Sequence, residues 1–270
     1  MNDGRCEIYG SRIESRAYLS SKDIRNVVIG AGIEHIGDWA FAKCSNLMTV
    51  SFAGDHRPGL FGKDVFMGCA RLGSISFRDT DDVTAALLAI CTNKMYCDHL
   101  LRAEDVGQKS WYGKWDIRLV TELKSDDAEA RMSAALCGEE DISYDGIGSV
   151  DGELPGETDD YVRQEEYRKC SLCYTRLLYN KYLSDATRGI IEDHLRANSF
   201  GSGNSAAFYS LFDDEANTTS YMRIYLDTVR HDKCTLKKLI EAVPFDKVDA
   251  RSYLIRQSDG GSDKISELLL

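Results

Sequence analysis

No apolar run in this chain approaches the roughly 20 residues that cross a bilayer as a helix, and the sequence therefore offers no candidate membrane span. The opening Met1-Asn2-Asp3-Gly4-Arg5-Cys6 lacks the apolar stretch of a secretory signal. Nine cysteines are odd in number and scattered, without the spacing of an extracellular disulfide framework. These absences predict a reducing, cytoplasmic setting, or a surface or secreted one if a leader has been removed. Positive charge is also short. The formal net charge is −11. Through Arg78 there are ten Lys/Arg against eight Asp/Glu, a net of +2, so the remainder carries −11 − 2 = −13. An acidic second part argues against nucleic-acid backbones and anionic membranes as partners.

What is present is a repeat. Gly37-Asp-Trp-Ala-Phe41-Ala-Lys-Cys44-Ser-Asn-Leu47 returns as Gly62-Lys-Asp-Val-Phe66-Met-Gly-Cys69-Ala-Arg-Leu72. Phe41 to Phe66, Cys44 to Cys69, Leu47 to Leu72 and Phe52 to Phe77 are each 25 residues apart. Upstream the interval is 23: Ile24 to Leu47, Val27 to Val50, Ile29 to Phe52. The two extra residues fall in Ala53–Gly59, a turn-forming stretch where insertion costs little. Another step back of 23 sets Ile13 under Ile36, Ala17 under Ala40, Tyr18 under Phe41 and Ser21 under Cys44, which predicts a third, degenerate copy. A fixed period of this kind marks a stacked architecture.

Each unit has readable physics. Val27, Ile29, Val50, Phe52, Ile75 and Phe77 alternate with Val28, Ser51 and Ser76, the period of a strand with one buried face. The Ala-Phe-x-x-Cys-x-x-Leu run has i, i+3 spacing and predicts a short helix or 3₁₀ turn. One unit cannot bury its apolar face alone, whereas stacked units bury it against each other. Cys44 and Cys69 are then small buried hydrophobes, not a disulfide or metal pair.

These residues resemble the BspA-type leucine-rich repeat, a bacterial family of roughly 23-residue units. Ile36-Gly37, Ala40-Phe41, Cys44, Leu47, Val50 and Phe52 match one unit. Phe61-Gly62, Phe66, Cys69, Leu72, Ile75 and Phe77 match the next. Departures are Val65 for Ala, Phe61 for Ile, and Gly30 and Ala53 where the family often has Pro. The match covers about residues 5–78. It implies a short curved solenoid that recognises proteins, often at cell surfaces, and it carries no catalytic residue.

From Asp81 the strand period ends. Helical patterns cover 82–91, 94–103, 115–124, 127–137, about 161–182, 185–197, 205–212, 218–231, 235–242 and 246–256. Ser184 and Asp185 suit one helix start and Thr235 another. Between them, 138–160 holds nine acidic residues, five glycines and no Lys or Arg, which predicts a solvated, mobile loop. The stretch 184–256 is similar to degenerate ankyrin-like helix pairs without their Thr-Pro-Leu-His signature. An irregular helical bundle fits equally. The fold class expected is thus α+β: a leucine-rich-repeat solenoid of about three repeats at 1–79 and a mostly α-helical domain at 80–270.

Each candidate for chemistry has a plain structural rival. Asp141, Ser143, Asp145 and Gly146 imitate a calcium loop, but position 12 is Gly152 and Glu153 falls one residue late. Cys170-Ser-Leu-Cys173 is a lone pair, and a structural zinc needs four ligands. His231 and Cys234 could complete a set; a buried helix face is the simpler reading. Cys97, Asp98 and His99 are adjacent in sequence, and adjacent helical residues point in different directions. Gly201–Ser205 precedes a helix but lacks the lysine of a phosphate loop. His35, at a strand-to-turn position, is expected to be exposed; His56 and His194 stand alone. Trp111, Tyr112 and Trp115 read as core, and as binding anchors if exposed.

The resulting expectation is a non-enzymatic interaction module or adaptor without a cofactor or metal. It would recognise a protein partner through the outward strand positions Asn26, Val28, Thr49, Ser51, Ser74 and Ser76. Arg25, Met48 and Arg78 flank that face. The helical part would cap the stack. The alternative is an enzyme or metal-dependent adaptor, whose site would gather two or more of His99, His194, His231, Cys170, Cys173 and Cys234. Oligomeric state and partner identity are not encoded in any of these patterns.

Overall fold

A computed structural model describes residues 4–125, 156–202, 205–212, 214, 216–229 and 231–266. The calcium-loop candidate at 141–153 and the helical pattern at 127–137 lie outside the described residues. The chain opens as a parallel-strand solenoid of about three turns and continues as a helical region, an α+β protein. Its strands are β1 (Arg5–Ile8), β2 (Arg12–Ile13), β3 (Asn26–Ile29), β4 (His35–Ile36), β5 (Thr49–Phe52) and β6 (Ser74–Ser76). Its helices are α1 (Asp82–Asn93), α2 (Asp98–Leu101), α3 (Lys109–Lys124), α4 (Gly156–Leu178), α5 (Asp185–Ala197), α6 (Ala206–Tyr209), α7 (Thr218–Thr228), α8 (Lys233–Ala242) and α9 (Val248–Ser266).

The main sheet has the order β1-β3-β5-β6, all parallel. Its register follows the repeat: Val27 lies beside Val50 and Ile29 beside Phe52, and Val50 lies beside Ile75. A smaller sheet pairs β2 with β4, Ile13 beside Ile36, and a bridge extends that column to Phe61. The degenerate first copy is therefore a full coil of the stack. Val27, Val50 and Ile75 are completely buried. Aromatic columns run through the coils: Tyr18 on Phe41 at 5.0 Å, Phe41 on Phe66 at 5.7 Å, and Phe52 on Phe77 at 4.5 Å between ring centroids.

Of the short helix or 3₁₀ turn that its spacing predicts, the Ala-Phe-x-x-Cys-x-x-Leu run forms a chain of single turns, each closed by an i to i−3 bond, and no helix. Trp39 and Lys43 take left-handed backbone, φ 54° and 58°, which a helix does not allow. Alternate amides then leave the coil: Trp39, Phe41 and Lys43 N–H donate to Lys63, Val65 and Met67 C=O at 2.9, 3.0 and 2.7 Å. The intervening Ala40, Ala42 and Cys44 N–H close turns onto Gly37, Trp39 and Phe41 C=O. Every second amide thus ties one coil to the next. This trades helical bonds for a ladder and satisfies the buried backbone just as well. Cys44 and Cys69 donate their thiols to Tyr18 C=O (3.0 Å) and Phe41 C=O (3.1 Å), part of the same stitching.

Left-handed residues recur at Asp64 and Gly68 in the next coil. At Gly68, φ is 73° and an added Cβ would sit 3.4 Å from Lys43 Cγ. Gly68→Val is expected to cost about 1–2 kcal/mol from backbone strain. Gly73→Ala, whose Cβ would meet only Met48 C=O at 3.9 Å, serves as the near-neutral control. Equal urea midpoints for the two variants would refute the left-handed turn.

Contacts divide the chain into two compact units: Met1–Leu119 with Tyr179–Ser184, and Val120–Leu178 with Asp185–Leu270. The boundary expected at 79–80 falls inside the first unit, because α1 packs on β6 and closes that end of the stack. Asn93 Nδ2 donates to Leu72 C=O (2.7 Å) and Cys69 C=O (3.3 Å), occupying acceptors of the last coil. Trp111, Tyr112 and Trp115 of α3 are fully buried behind α1. Their polar atoms are satisfied: Trp111 Nε1 donates to Leu100 C=O (2.9 Å) and Trp115 Nε1 to Leu87 C=O (3.2 Å).

The second unit is built around α4, which packs against α5, α6 and α7. Tyr174 stacks on Tyr221 at 5.4 Å and donates its hydroxyl to Ala207 C=O at 2.6 Å. Arg168 joins Glu165 and Glu122 at 2.6 and 3.0 Å. Several helix boundaries differ from expectation, and two of them show why. Residues 156–160, read as the end of the acidic loop, open α4. An acidic sequence suits a helix N-terminus as well as a loop, so composition does not separate them. Helix α8 begins before Thr235: Asp232 is its cap, accepting from Thr235 N–H at 2.7 Å.

Candidate functional site

Strand alternation sets the geometry of the outward face. The inward positions of β3, β5 and β6 are buried, while Asn26, Val28, Ser51, Ser74 and Ser76 are half-buried and Thr49 is exposed. In register, Asn26, Thr49 and Ser74 form one column and Val28, Ser51 and Ser76 the next. Arg5 and Glu7 of β1 extend both columns. Thr49 Oγ1 lies 2.8 Å from Asn26 Oδ1 and donates to it. Ser51 Oγ donates to Val27 C=O at 3.3 Å. Both hydroxyl protons are used within the face, so these side chains present lone pairs outward. The columns are shallow because their side chains are short.

The flanks carry longer groups. Arg25 and Met48 are exposed and adjacent, with Met48 N–H donating to Arg25 C=O at 2.7 Å. On the other side Arg78 donates to Ala53 C=O at 3.1 Å and lies 3.8 Å from Asp55. Both sides therefore bear cationic side chains above a small, acceptor-rich floor.

A concavity of about 370 Å³ lies in the same unit, lined by Asp55, His56, Phe77, Asp81, Thr84 and Lys181 among others. Asp81, Thr84, Lys181 and His56 among them are bonded within the fold. Asp81 caps α1: Oδ1 accepts from Thr84 N–H (2.7 Å) and Thr84 Oγ1 (2.9 Å), and Oδ2 binds the Lys181 ammonium. Burial works to raise the Asp81 pKa, but bonds from Lys181 and Thr84 outweigh it and leave the carboxyl below its usual range. Since Thr84 Oγ1 gives its proton to Asp81, it accepts from the Tyr112 hydroxyl, 2.7 Å away. His56 Nε2 sits 2.6 Å from Leu101 C=O and must carry the proton. Burial lowers the His56 pKa, which holds the ring neutral. This chain of bonds anchors Tyr179–Ser184 to α1. It leaves no unassigned acceptor on Asp81 Oδ1. The acidic start of α1 was legible; Lys181, 100 residues away from Asp81, left no local signal.

The remaining candidates are spread apart or buried. Cys97 is buried and His99 exposed, while Asp98 Oδ2 accepts from Asp64 N–H at 2.6 Å, so the three form no dyad. Cys170 and Cys173 are fully buried in α4. Burial pushes the Cys173 thiol well above its ordinary value, where it is inert. Cys234 is exposed on α8, and the His231 ring lies 5.0 Å from Tyr225. His194 stands 3.7 Å from Glu166. His35, expected exposed, is half-buried because β4 extends through it to pair with Arg12. Gly201 N–H donates to Ser205 Oγ at 3.2 Å and α6 is only four residues long, so this turn does not form an anion cradle; Gly203 and Asn204 lie outside the described residues. Among the described residues no three His, Cys, Asp or Glu gather to hold a metal, and no helix is long and apolar enough to cross a membrane. Compared with known proteins, the chain matches no family model, no curated protein and no solved structure.

Proposed function

We propose that the strand stack is a leucine-rich repeat of BspA type and that the protein is a non-enzymatic recognition module, binding a protein partner across the outward sheet face. The observation that carries this reading is the pair of in-register columns Asn26–Thr49–Ser74 and Val28–Ser51–Ser76, with outward side chains short enough for a partner's to approach. An extended segment lying across the rungs would meet hydroxyl lone pairs on the floor. Its carboxylates would meet Arg25 on one flank and Arg78 on the other. Such a floor gives orientation through hydrogen bonds, and exposed Met48 adds an apolar anchor.

Ser51→Arg and Ser76→Arg place long cations in the middle of the floor. With the partner isolated from native lysate on the immobilised protein, either substitution is expected to weaken binding at least tenfold, about 1.4 kcal/mol. The fold should persist, since both sites point away from the core. Unchanged affinity in both variants, or no protein retained specifically by the unsubstituted chain, would overturn the reading.

A further inference from the structure

Not every acceptor in the concavity of about 370 Å³ is taken by the fold. All of its lining residues belong to the first unit. Three are carboxylates, Asp55, Asp79 and Asp81, against one cationic side chain, Lys181, which is bonded to Asp81. Asp55 stands 3.8 Å from Arg78 Nε, beyond hydrogen-bond length. Among the described residues Asp79 has no hydrogen-bond or ion-pair partner. His56 is neutral and gives its Nε2 proton to Leu101 C=O, so its Nδ1 is a lone pair. That atom has no donor among the described residues and is not one of the buried unpaired atoms, so solvent reaches it. Phe77 and Val106 add apolar wall. The Phe77 ring is fixed by Phe52, stacked at 4.5 Å, and by His56, edge-on at 4.8 Å.

These groups select the chemistry of an occupant. Carboxylates without matching cations repel an anion. A single metal ion does not fit either, because among the described residues no three His, Cys, Asp or Glu gather to hold one. The acceptors are spread along the wall beside an aromatic ring. They suit a cation whose charge is shared over several donors and which carries a short apolar stem. A guanidinium has five N–H donors in one plane and is more weakly hydrated than an ammonium. Its alkyl stem can lie along an apolar surface while the head stays among polar groups. We propose that this recess binds an alkylguanidinium, its head donating to Asp55, Asp79 and His56 Nδ1 and its stem packing on Phe77. Such a group arrives on a free small molecule or as the arginine side chain of a peptide.

Isothermal titration calorimetry of the full chain at low salt tests this with three probes. Butylguanidinium is the free cation, N-acetylarginine amide presents an arginine side chain as a peptide does, and N-butylurea is an uncharged analogue of the same shape. Butylguanidinium should bind at one site per chain, and N-butylurea should not bind. Comparable affinity for N-acetylarginine amide would assign the recess to a peptide arginine, and failure of that probe alone would assign it to a free cation. Asp55→Asn and Asp79→Asn should each weaken butylguanidinium by about two- to fivefold, the range of an exposed ion pair, and the double variant by about tenfold. Asp82→Asn removes the same charge from an exposed residue outside the recess and should leave binding unchanged. Asp55 and Asp79 are also exposed, so the fold should persist in each variant, which circular dichroism checks. No binding of butylguanidinium at millimolar concentration would overturn the proposal. So would equal binding of N-butylurea, an unchanged double variant, or a loss in Asp82→Asn equal to that in Asp79→Asn.

Discussion

Phe41→Ala is expected to lower the stability of the first unit by about 3–5 kcal/mol, the range for a buried aromatic cut to a methyl. Phe41 is fully buried and is the middle ring of a column, stacked between Tyr18 and Phe66. Removing it takes a partner from both neighbours and opens a cavity between coils. Relaxation is restricted, because Phe41 N–H and C=O are tied to Val65 C=O and the Cys69 thiol. The backbone therefore cannot close over the void. Phe41→Leu should cost much less, since most of the volume is retained. Urea unfolding followed by tryptophan fluorescence reads this unit selectively: Trp39, Trp111 and Trp115, the chain's three tryptophans, all belong to it. A loss below about 1 kcal/mol, the typical effect of an unexceptional substitution, would show that the aromatic column is not holding the coils together.

Tyr174→Ala should cost the second unit a similar amount, about 3–5 kcal/mol, and Tyr174→Phe about 1–3 kcal/mol. The ring is completely buried between α4 and α7, where it stacks on Tyr221. Its hydroxyl is the donor for Ala207 C=O at 2.6 Å. Burial pushes the phenol well above its ordinary pKa, so it remains a donor throughout the accessible pH range. Alanine removes ring and donor together. Phenylalanine keeps the packing and leaves the carbonyl without that donor, so the pair of variants separates the two contributions. Far-UV circular dichroism reads the helical transition. Equal midpoints for Tyr174→Phe and the unsubstituted protein would show that the hydroxyl bond adds nothing net. A small effect of Tyr174→Ala would show that α4 is anchored elsewhere.

The solenoid is legible in the sequence because its signal is local and repeated. An interval of 23 or 25 residues places Val27, Val50 and Ile75 in one column whatever the rest of the chain does, and the register of β3, β5 and β6 obeys that spacing. The degenerate first coil is legible for the same reason through Ile13 and Tyr18. The turn run is not, because i, i+3 apolar spacing describes any inward-pointing bend. Only backbone dihedrals distinguish a helix from left-handed turns at Trp39 and Lys43. Periodicity also locates α1, α5 and α7 to within a few residues. It gives no information on which helix closes the stack or which faces meet.

Sequence alone determined the period, the outward and inward strand positions, and the change from strands to helices, because each depends on residues close together in the chain. Tertiary structure decided the rest. It joined Asp81 to Lys181 and Thr84 to Tyr112, used the Cys44 and Cys69 thiols as donors between successive coils, and extended the first unit past residue 79 to include Trp111 and Trp115. It also set α1 against β6 at one end of the stack. These outcomes depend on which distant surfaces bury each other best, and that comparison is made only when the whole chain packs.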